Sequence, residues 1–350
     1  LLKPLVRAGS FRYLREMDPI THLSAGAVIF QAVRDRLPKA RFLLFFCLLL
    51  AILPDADILF FRSDPTFYLV HHRGFSHSLL FVALAAPVLA WGYRKMGNGT
   101  ESWRLVTALA AGLLLTHIYQ DLITSYGTQI FAPLSRARFG MDAVFIIDPV
   151  YTGLTLLCIA TAAFWRRKRQ LVALAAMLWI VAYPLFCAGL RVVAETRYRQ
   201  ELAQQGAPYD CLTVTTDALS PLFWKAILTN NGAYALESLD LRRTTIGEPA
   251  FDYQRPSQEL LNRLVDADPF LETYFWFTAH PFYTEQLLEN GGRELTFGDL
   301  RFQSPGPLMQ SLFENGRTPF ALTVRLNADG QVRQFIFHRS GKTFARSIME

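Results

Sequence analysis

Leu171-Val-Ala-Leu-Ala-Ala-Met-Leu-Trp-Ile-Val-Ala-Tyr-Pro-Leu-Phe-Cys-Ala-Gly-Leu190 runs for twenty positions without a charged side chain. As a helix it is long enough to cross a hydrocarbon core of about 30 Å. Upstream, residues 143–165 are almost as apolar, broken only by Asp148. The runs 42–53, 79–93 and 105–116 are shorter, and each reaches spanning length once its polar ends are counted. The segment 20–36 is the weakest candidate. Across the 350 residues, 51% are apolar and 18% charged, below the usual quarter for soluble proteins. The pattern predicts a polytopic α-helical membrane domain over 17–195, with about 5–6 spans at 20–34, 40–60, 78–93, 103–122, 143–165 and 171–191.

The net charge of +6 raises nucleic acid as a partner, but the placement of the cations argues against it. They cluster between the apolar runs: Arg34, Arg36, Lys39 and Arg41; Arg94, Lys95 and Arg104; Arg166, Arg167, Lys168 and Arg169. That is the positive-inside pattern, and two spans separate each cluster from the next. All three therefore fall on one side, the cytoplasmic one. The four cysteines, Cys47, Cys158, Cys187 and Cys211, form no Cys-x-x-Cys pair. Three lie in apolar runs and read as small buried hydrophobes; the fourth has no partner for a disulfide in the polar C-terminal region. Residues 1–16 begin with Leu and carry four cations, and Met17 directly precedes the first motif, which marks 1–16 as an extension of doubtful native status.

Beyond about 195 the character changes to alternating segments at 212–216, 223–228, 234–239, 294–297, 300–302, 320–325 and 332–338. Thr229-Asn-Asn-Gly232 and Asn327-Ala-Asp-Gly330 are hairpin signals, and helices are expected at 256–266 and 268–279. Residues 196–350 thus read as a small α+β domain with an antiparallel sheet, delivered by the last span to the extracytoplasmic side.

Five of the seven histidines fall between 22 and 117, each beside an acid at the edge of an apolar run. The segments are Asp18-Pro-Ile-Thr-His22, Leu53-Pro-Asp55-Ala-Asp57, His71-His72-Arg73-Gly-Phe-Ser76-His77-Ser and His117-Ile-Tyr-Gln-Asp121, followed by Asp148-Pro149. All sit at the ends of the spans opposite the basic loops. His117 and Asp121, like Asp18 and His22, are i and i+4 and share a helix face. Asp55 and Asp57 repel each other unless a cation lies between them, and on a helix only one of the two would reach it. Ser76 is the expected N-cap of the third span, with His77 in its first turn and Gly74 in the turn before it. Each motif alone also reads as a cap or a polar stop. Asp148 with Pro149 is as good a helix cap as a site member. His280 and His338, without an acid at ligand spacing, read as ordinary histidines.

The motifs Met17-Asp-Pro-Ile-Thr-His22, Leu53-Pro-Asp55-Ala-Asp57, His72-Arg-Gly-Phe-Ser-His77-Ser and His117-Ile-Tyr-Gln-Asp121 resemble the YdjM-type family over about 17–195. Members of that family are labelled inner-membrane metal-dependent hydrolases, some with a LexA-binding or LexA-regulated name. The cations here are topology signals and lend the LexA label no support. More distantly, the order of the motifs is similar to that of the zinc-dependent phospholipase C and P1 nuclease group. The later His-x-x-x-Glu ligands and N-terminal Trp of that group are absent, so one or two ions are expected rather than three.

The resemblance implies a multi-pass bacterial inner-membrane hydrolase with an extracytoplasmic site. His22, Asp55, His72, His77, His117 and Asp121 are the candidate ligands of zinc, or alternatively manganese. Asp57 is the candidate general base, and Arg73 the group that stabilises charge on the substrate. Asp18, His71, Ser76 and Asp148 are candidate supporting residues. A site at headgroup depth suggests a membrane lipid or lipid-linked phosphoester or acyl ester. Two other classes are compatible: a metal-binding transporter or sensor, and an interaction protein whose His/Asp set staples helices. Almost no polar residue lies at mid-depth in the third, fourth and sixth spans, which disfavours a transport path. No protein partner of the C-terminal domain is indicated.

Overall fold

A computed structural model describes residues 19–37, 41–61, 64–97, 101–218, 221–243, 247–305, 319–339 and 342–348. The segment 1–16, Asp18 and Lys39 lie outside them. The chain divides into two compact units that meet between Leu190 and Arg191.

The first unit holds α1 (Pro19–Val33), α2 (Leu43–Ile52), α3 (Asp57–Phe61), α4 (Pro65–His71), α5 (Leu79–Met96), α6 (Trp103–Leu122), α7 (Pro149–Phe164) and the first part of α8 (Arg169–Gln205). Side-chain caps set several starts. Asp64 accepts from Thr66 N ahead of α4, Ser78 from Phe81 N ahead of α5, and Asp148 from Val150 N and Tyr151 N ahead of α7. The cap of α5 is thus Ser78, not the expected Ser76, and His77 lies in the 3-10 turn Phe75–His77 before the helix.

Among the described residues, three helical stretches are long and apolar enough to cross a membrane: α5, α6, and α8 with the turn before it. A fourth is α2 with Pro54–Phe60, which bend by 58° at Pro54, where the ring removes a helical N–H. The expected count of five or six is therefore three to four by length and composition. α1 and α7, with 15 and 16 residues, are shorter apolar helices. Leu84, Val88 and Trp91 of α5, Leu154 and Leu157 of α7, and Leu174, Leu178, Leu185 and Phe186 of α8 are exposed, as lipid-facing surfaces require. Inward, Ala86 and Ala90 of α5 pack with Ala110, Leu113 and Leu114 of α6 and with Phe46, Cys47 and Leu50 of α2. Gly26 brings α1 against α2 so closely that a Cβ there would lie 2.8 Å from both the Cys47 carbonyl oxygen and Ala51 Cβ.

The basic loops meet at one end. Arg169 Nη2 pairs with Asp35 Oδ1 at 2.5 Å, and Tyr93 Oη donates to the Arg41 carbonyl at 2.8 Å. The His/Asp motifs occupy the opposite ends of the same helices.

Among the described residues, the second unit holds a nine-stranded antiparallel sheet in sequential order: β1 (Cys211–Thr216), β2 (Phe223–Asn230), β3 (Ala233–Asp240), β4 (Tyr253–Gln254), β5 (Pro281–Leu287), β6 (Arg293–Asp299), β7 (Leu322–Leu326), β8 (Val332–Arg339) and β9 (Lys342–Ser347). Asn231 and Gly232, at φ 45° and 80°, turn β2 into β3 as a primed hairpin requires. α9 (Gln258–Ala267) and α10 (Pro269–Phe277) precede β5, and Phe270 of α10 stacks on Phe335 of β8 at 4.9 Å. Leu300–Phe302, expected as a strand, is a 3-10 turn that Asp299 caps. Asp299 also accepts from Ala279 N and the Arg301 guanidinium. Burial alone would raise its carboxyl, but the Arg301 charge and these hydrogen bonds outweigh it and hold it below the usual carboxylate range.

Candidate metal centre

The last turns of α6 carry His117, Gln120 and Asp121 at i, i+3 and i+4, one polar stripe on a buried face, and the buried Thr124 follows just past the helix end. Around it come His22 from the first turn of α1, Asp55 from the bend at Pro54, and His77 from the turn before α5. Ligand atoms of Asp55, His77, His117 and Asp121 all lie within 4.8 Å of one another.

Three of these form a tight triangle. His77 Nε2 is 3.0 Å from Asp121 Oδ2 and 3.1 Å from His117 Nε2, and His117 Nε2 is 3.4 Å from Asp121 Oδ2. Asp55 Oδ1 stands slightly further off, 3.4 Å from His77 Nε2 and 3.7 Å from His117 Nε2. A tetrahedral ion with ligand distances near 2.1 Å has donor-to-donor edges of about 3.4 Å. The observed spacing fits that figure. His22 Nε2 lies 3.7 Å from Asp121 Oδ1 and 3.9 Å from Asp55 Oδ2, and its ring stacks on His117 at 4.0 Å.

Hydrogen bonds on the far side of each ring set its tautomer. His117 Nδ1 is 2.7 Å from the Ala51 carbonyl, which can only accept, so this nitrogen carries the proton. Ser76 Oγ spends its hydrogen on Asp57 Oδ2 at 2.9 Å, so His77 Nδ1 donates to Ser76 at 2.9 Å. Gln120 Nε2 donates to the Thr21 carbonyl, which turns Gln120 Oε1 to accept from His22 Nδ1 at 3.1 Å. All three rings therefore direct Nε2 at the carboxylates. His77 and His117 cannot both carry a proton on nitrogens 3.1 Å apart, so at least one lone pair points into the cluster. The donor set and its spacing fit a divalent cation with imidazole and carboxylate ligands.

The remaining motif residues have other places. His72 is not with the four. Its Nδ1 donates to Asp57 Oδ1 at 3.1 Å, its ring stacks on Tyr68, and its buried Nε2 has no hydrogen-bond partner. Asp57 does not face the cluster as a free base. Its oxygens accept from His72, Ser76 and Arg73 N, and through Ser76 it orients His77. Arg73 is buried, with Nη2 3.0 Å from Asp121 Oδ1 and Nη1 donating to Thr124 Oγ1 at 3.0 Å. Its guanidinium lies 4.6 Å over the Tyr126 ring. The fork expected to meet a substrate thus holds the Asp121 carboxylate of the cluster. Gly74 lies in the expected turn, where a Cβ on it would sit 2.7 Å from the His71 carbonyl oxygen, and Arg73 beside it takes the left-handed conformation at φ 58°. His71 stacks on Phe67 outside the cluster. Asp148 caps α7 and accepts from Tyr183 Oη at 3.0 Å, away from the four. Gln120, Thr124 and Tyr126 carry no expected role in the sequence, although Gln120 lies inside the quoted His117–Asp121 motif. A carboxamide on the inner face of an apolar helix was the available signal.

Fold and donor set together define a helical membrane protein with a buried His/Asp cluster able to hold a metal ion. The chain belongs to the YdjM inner membrane protein family, which matches residues 17–194. It is similar to inner membrane protein YbcI of Escherichia coli (strain K12), 35% identical over 126 residues that cover 34% of this chain and 69% of YbcI. It is also similar to the uncharacterized protein YfhP of Bacillus subtilis (strain 168), 29% identical over 99 residues, 27% of this chain and 29% of YfhP. The chain thus spans less than a third of YfhP. No solved structure matches it.

Proposed function

We propose that the protein is a metal-dependent hydrolase of the inner membrane that cleaves a phosphoester, or an acyl ester, in a lipid-like substrate. The observation that carries this reading is the convergence of three Nε2 atoms with set tautomers on two buried carboxylates. His77, His117 and Asp121 would hold one divalent ion, zinc before manganese, as a His/His/carboxylate triad of the kind used by catalytic zinc sites. Such an ion supplies Lewis-acid polarisation of a phosphoryl or carbonyl oxygen and acidifies water toward neutrality. Asp55 and His22 border the remaining side of the triad, and Asp55, 7% exposed against 1% for Asp121, is the side chain placed to take a proton there. Arg73 fixes Asp121, and Asp57 fixes His77 through Ser76.

With α1 and α7 counted as short spans beside α5, α6, α8 and the bent pair, the bundle crosses six times. The positive-inside rule then puts the basic loops in the cytoplasm and the cluster at the outer face, with the chain after α8 outside. A second reading is a closed structural site that staples the helix ends. It is favoured by one observation: four protein donors lie within 4.8 Å of one another, as many as a closed tetrahedral site needs.

Elemental analysis and hydrolysis of lipid phosphoesters and acyl esters in mixed micelles, for wild type beside His117→Ala, test both. The hydrolase reading expects about one zinc or manganese ion per chain, lost together with turnover in the variant. Bound metal without turnover on either substrate class supports the staple. No metal after zinc and manganese are added back ends both readings.

A further inference from the structure

At the end of the bundle opposite the His/Asp cluster, a cleft of about 480 Å³ is lined by Asp35, Arg166, Arg167, Lys168, Gln170 and Leu171. Its volume is in the range of small-ligand sites. Asp35, the only acid in the lining, is already engaged. Its Oδ1 pairs with Arg169 at 2.5 Å and its Oδ2 accepts from Gln170 Nε2 at 3.3 Å. Among the described residues no carboxylate pairs with Arg166, Arg167 or Lys168, and Lys168 Nζ lies 4.6 Å over the Trp165 ring. The cleft therefore presents uncompensated positive charge.

Its borders are apolar: Phe164 is 90% exposed, Trp165 50% and Leu171 64%. Aromatic side chains and cations in this arrangement belong at the headgroup level of a bilayer. A topology signal needs only charge in the loop. It does not need an open recess whose single acid is sequestered by a neighbouring arginine. We propose that this cleft binds the phosphate of an anionic phospholipid, with the acyl chains along Phe164 and Leu171. Inorganic phosphate shares the chemistry but would gain nothing from the apolar border.

The test uses the full chain in detergent micelles, with bound lipid counted by native mass spectrometry during titration with phosphatidylglycerol or phosphatidylcholine. The expected result is retention of phosphatidylglycerol well above phosphatidylcholine, with no displacement by equimolar inorganic phosphate. Arg167→Gln/Lys168→Gln leaves Arg166 and Arg169 as topology signals. It should weaken phosphatidylglycerol binding about thirtyfold, since each cation near a surface contributes roughly a fivefold factor. Asp35→Ala frees Arg169 and should strengthen binding by about fivefold, a direction that misfolding cannot mimic. Equal retention of the two lipids, wild-type affinity in the double variant, or weaker binding in Asp35→Ala would each overturn the assignment. Displacement by inorganic phosphate would overturn the lipid as the source of the anion.

Discussion

Arg73→Ala separates two roles for the same side chain. The Arg73 Nη2 to Asp121 Oδ1 distance is 3.0 Å, and both side chains are almost wholly buried. At that distance and an effective dielectric near 20, the attraction is about 5 kcal/mol. Losing one partner of a buried pair costs about 3–5 kcal/mol, because the other charge stays behind. For a unit of this size that is a drop in Tm of about 10 °C in chelator-treated protein, read by tryptophan fluorescence during thermal unfolding in detergent. Asp121 Oδ2 faces His77 and His117 on the other side, so a bound cation gives the same carboxylate a second counter-charge. The loss should shrink by about half once zinc is restored, since the carboxylate is no longer unpaired. An equal loss with and without metal would show that Asp121 and the ion do not interact. Unchanged stability in chelator, with turnover lost, would instead return Arg73 to the substrate-facing role that the sequence suggests.

Gln120→Leu removes the acceptor that holds the proton on His22 Nδ1. Because His22 borders the triad and does not hold the ion, competition with a chromophoric chelator should show metal affinity weakened by no more than about tenfold, and a larger loss would place His22 among the ligands. Asp299 makes the sheet unit sensitive to acid. Its carboxyl is held below the unfolded value of about 3.9, so its stabilising contribution is complete above that pH and is lost as pH falls through the lower folded value. Proteolytic susceptibility of the sheet unit should rise as pH falls below about 4 in wild type and less steeply in Asp299→Asn, which starts from lower stability. Parallel profiles would show that Arg301 does not hold that carboxyl down.

The helical unit was legible because apolar length and loop cations are local signals. Arg169 on Asp35 and Tyr93 on the Arg41 carbonyl bear out the inference that the basic loops share one end. The motifs also named the four clustered residues. Asp55 was expected in the cluster and lies there, but the turn of Asp57 to His72 was not foreseen. Asp55 and Asp57 are two apart at a bend, and one turns to the cluster while the other turns to His72. Only the backbone at Pro54 decides which. The Arg73 contact with Asp121 was not legible because a guanidinium beside histidines suits an external anion, and Asp121 lies 48 residues away. In the sheet unit, β5 lacks strict alternation: Tyr283, Thr284, Glu285 and Gln286 follow one another after Pro281-Phe282. The strand exists because β6 pairs along its whole length, which no window of its own sequence shows.

Asp55 distinguishes a centre that reacts from one that only staples. Within the cluster its edges to the two rings, 3.4 and 3.7 Å, begin where the 3.0, 3.1 and 3.4 Å edges among His77, His117 and Asp121 end. It comes from the bend after α2, whereas His117 and Asp121 share one helix turn and His77 is tied to Ser76. A staple requires all four donors equally, so Asp55→Asn and Asp121→Asn should both lose the ion. A reacting centre requires three donors and a group free to move a proton. Asp55→Asn should then keep its ion within about tenfold of wild-type affinity, the lower bound for loss of a supporting partner, while turnover falls at least a hundredfold, the usual worth of a positioned base. Asp121→Asn, which also strands Arg73, should lose ion and fold stability together. Loss of metal in Asp55→Asn equal to that in Asp121→Asn would place Asp55 among the ligands, and the case for an open, hydrolytic position would fall with it.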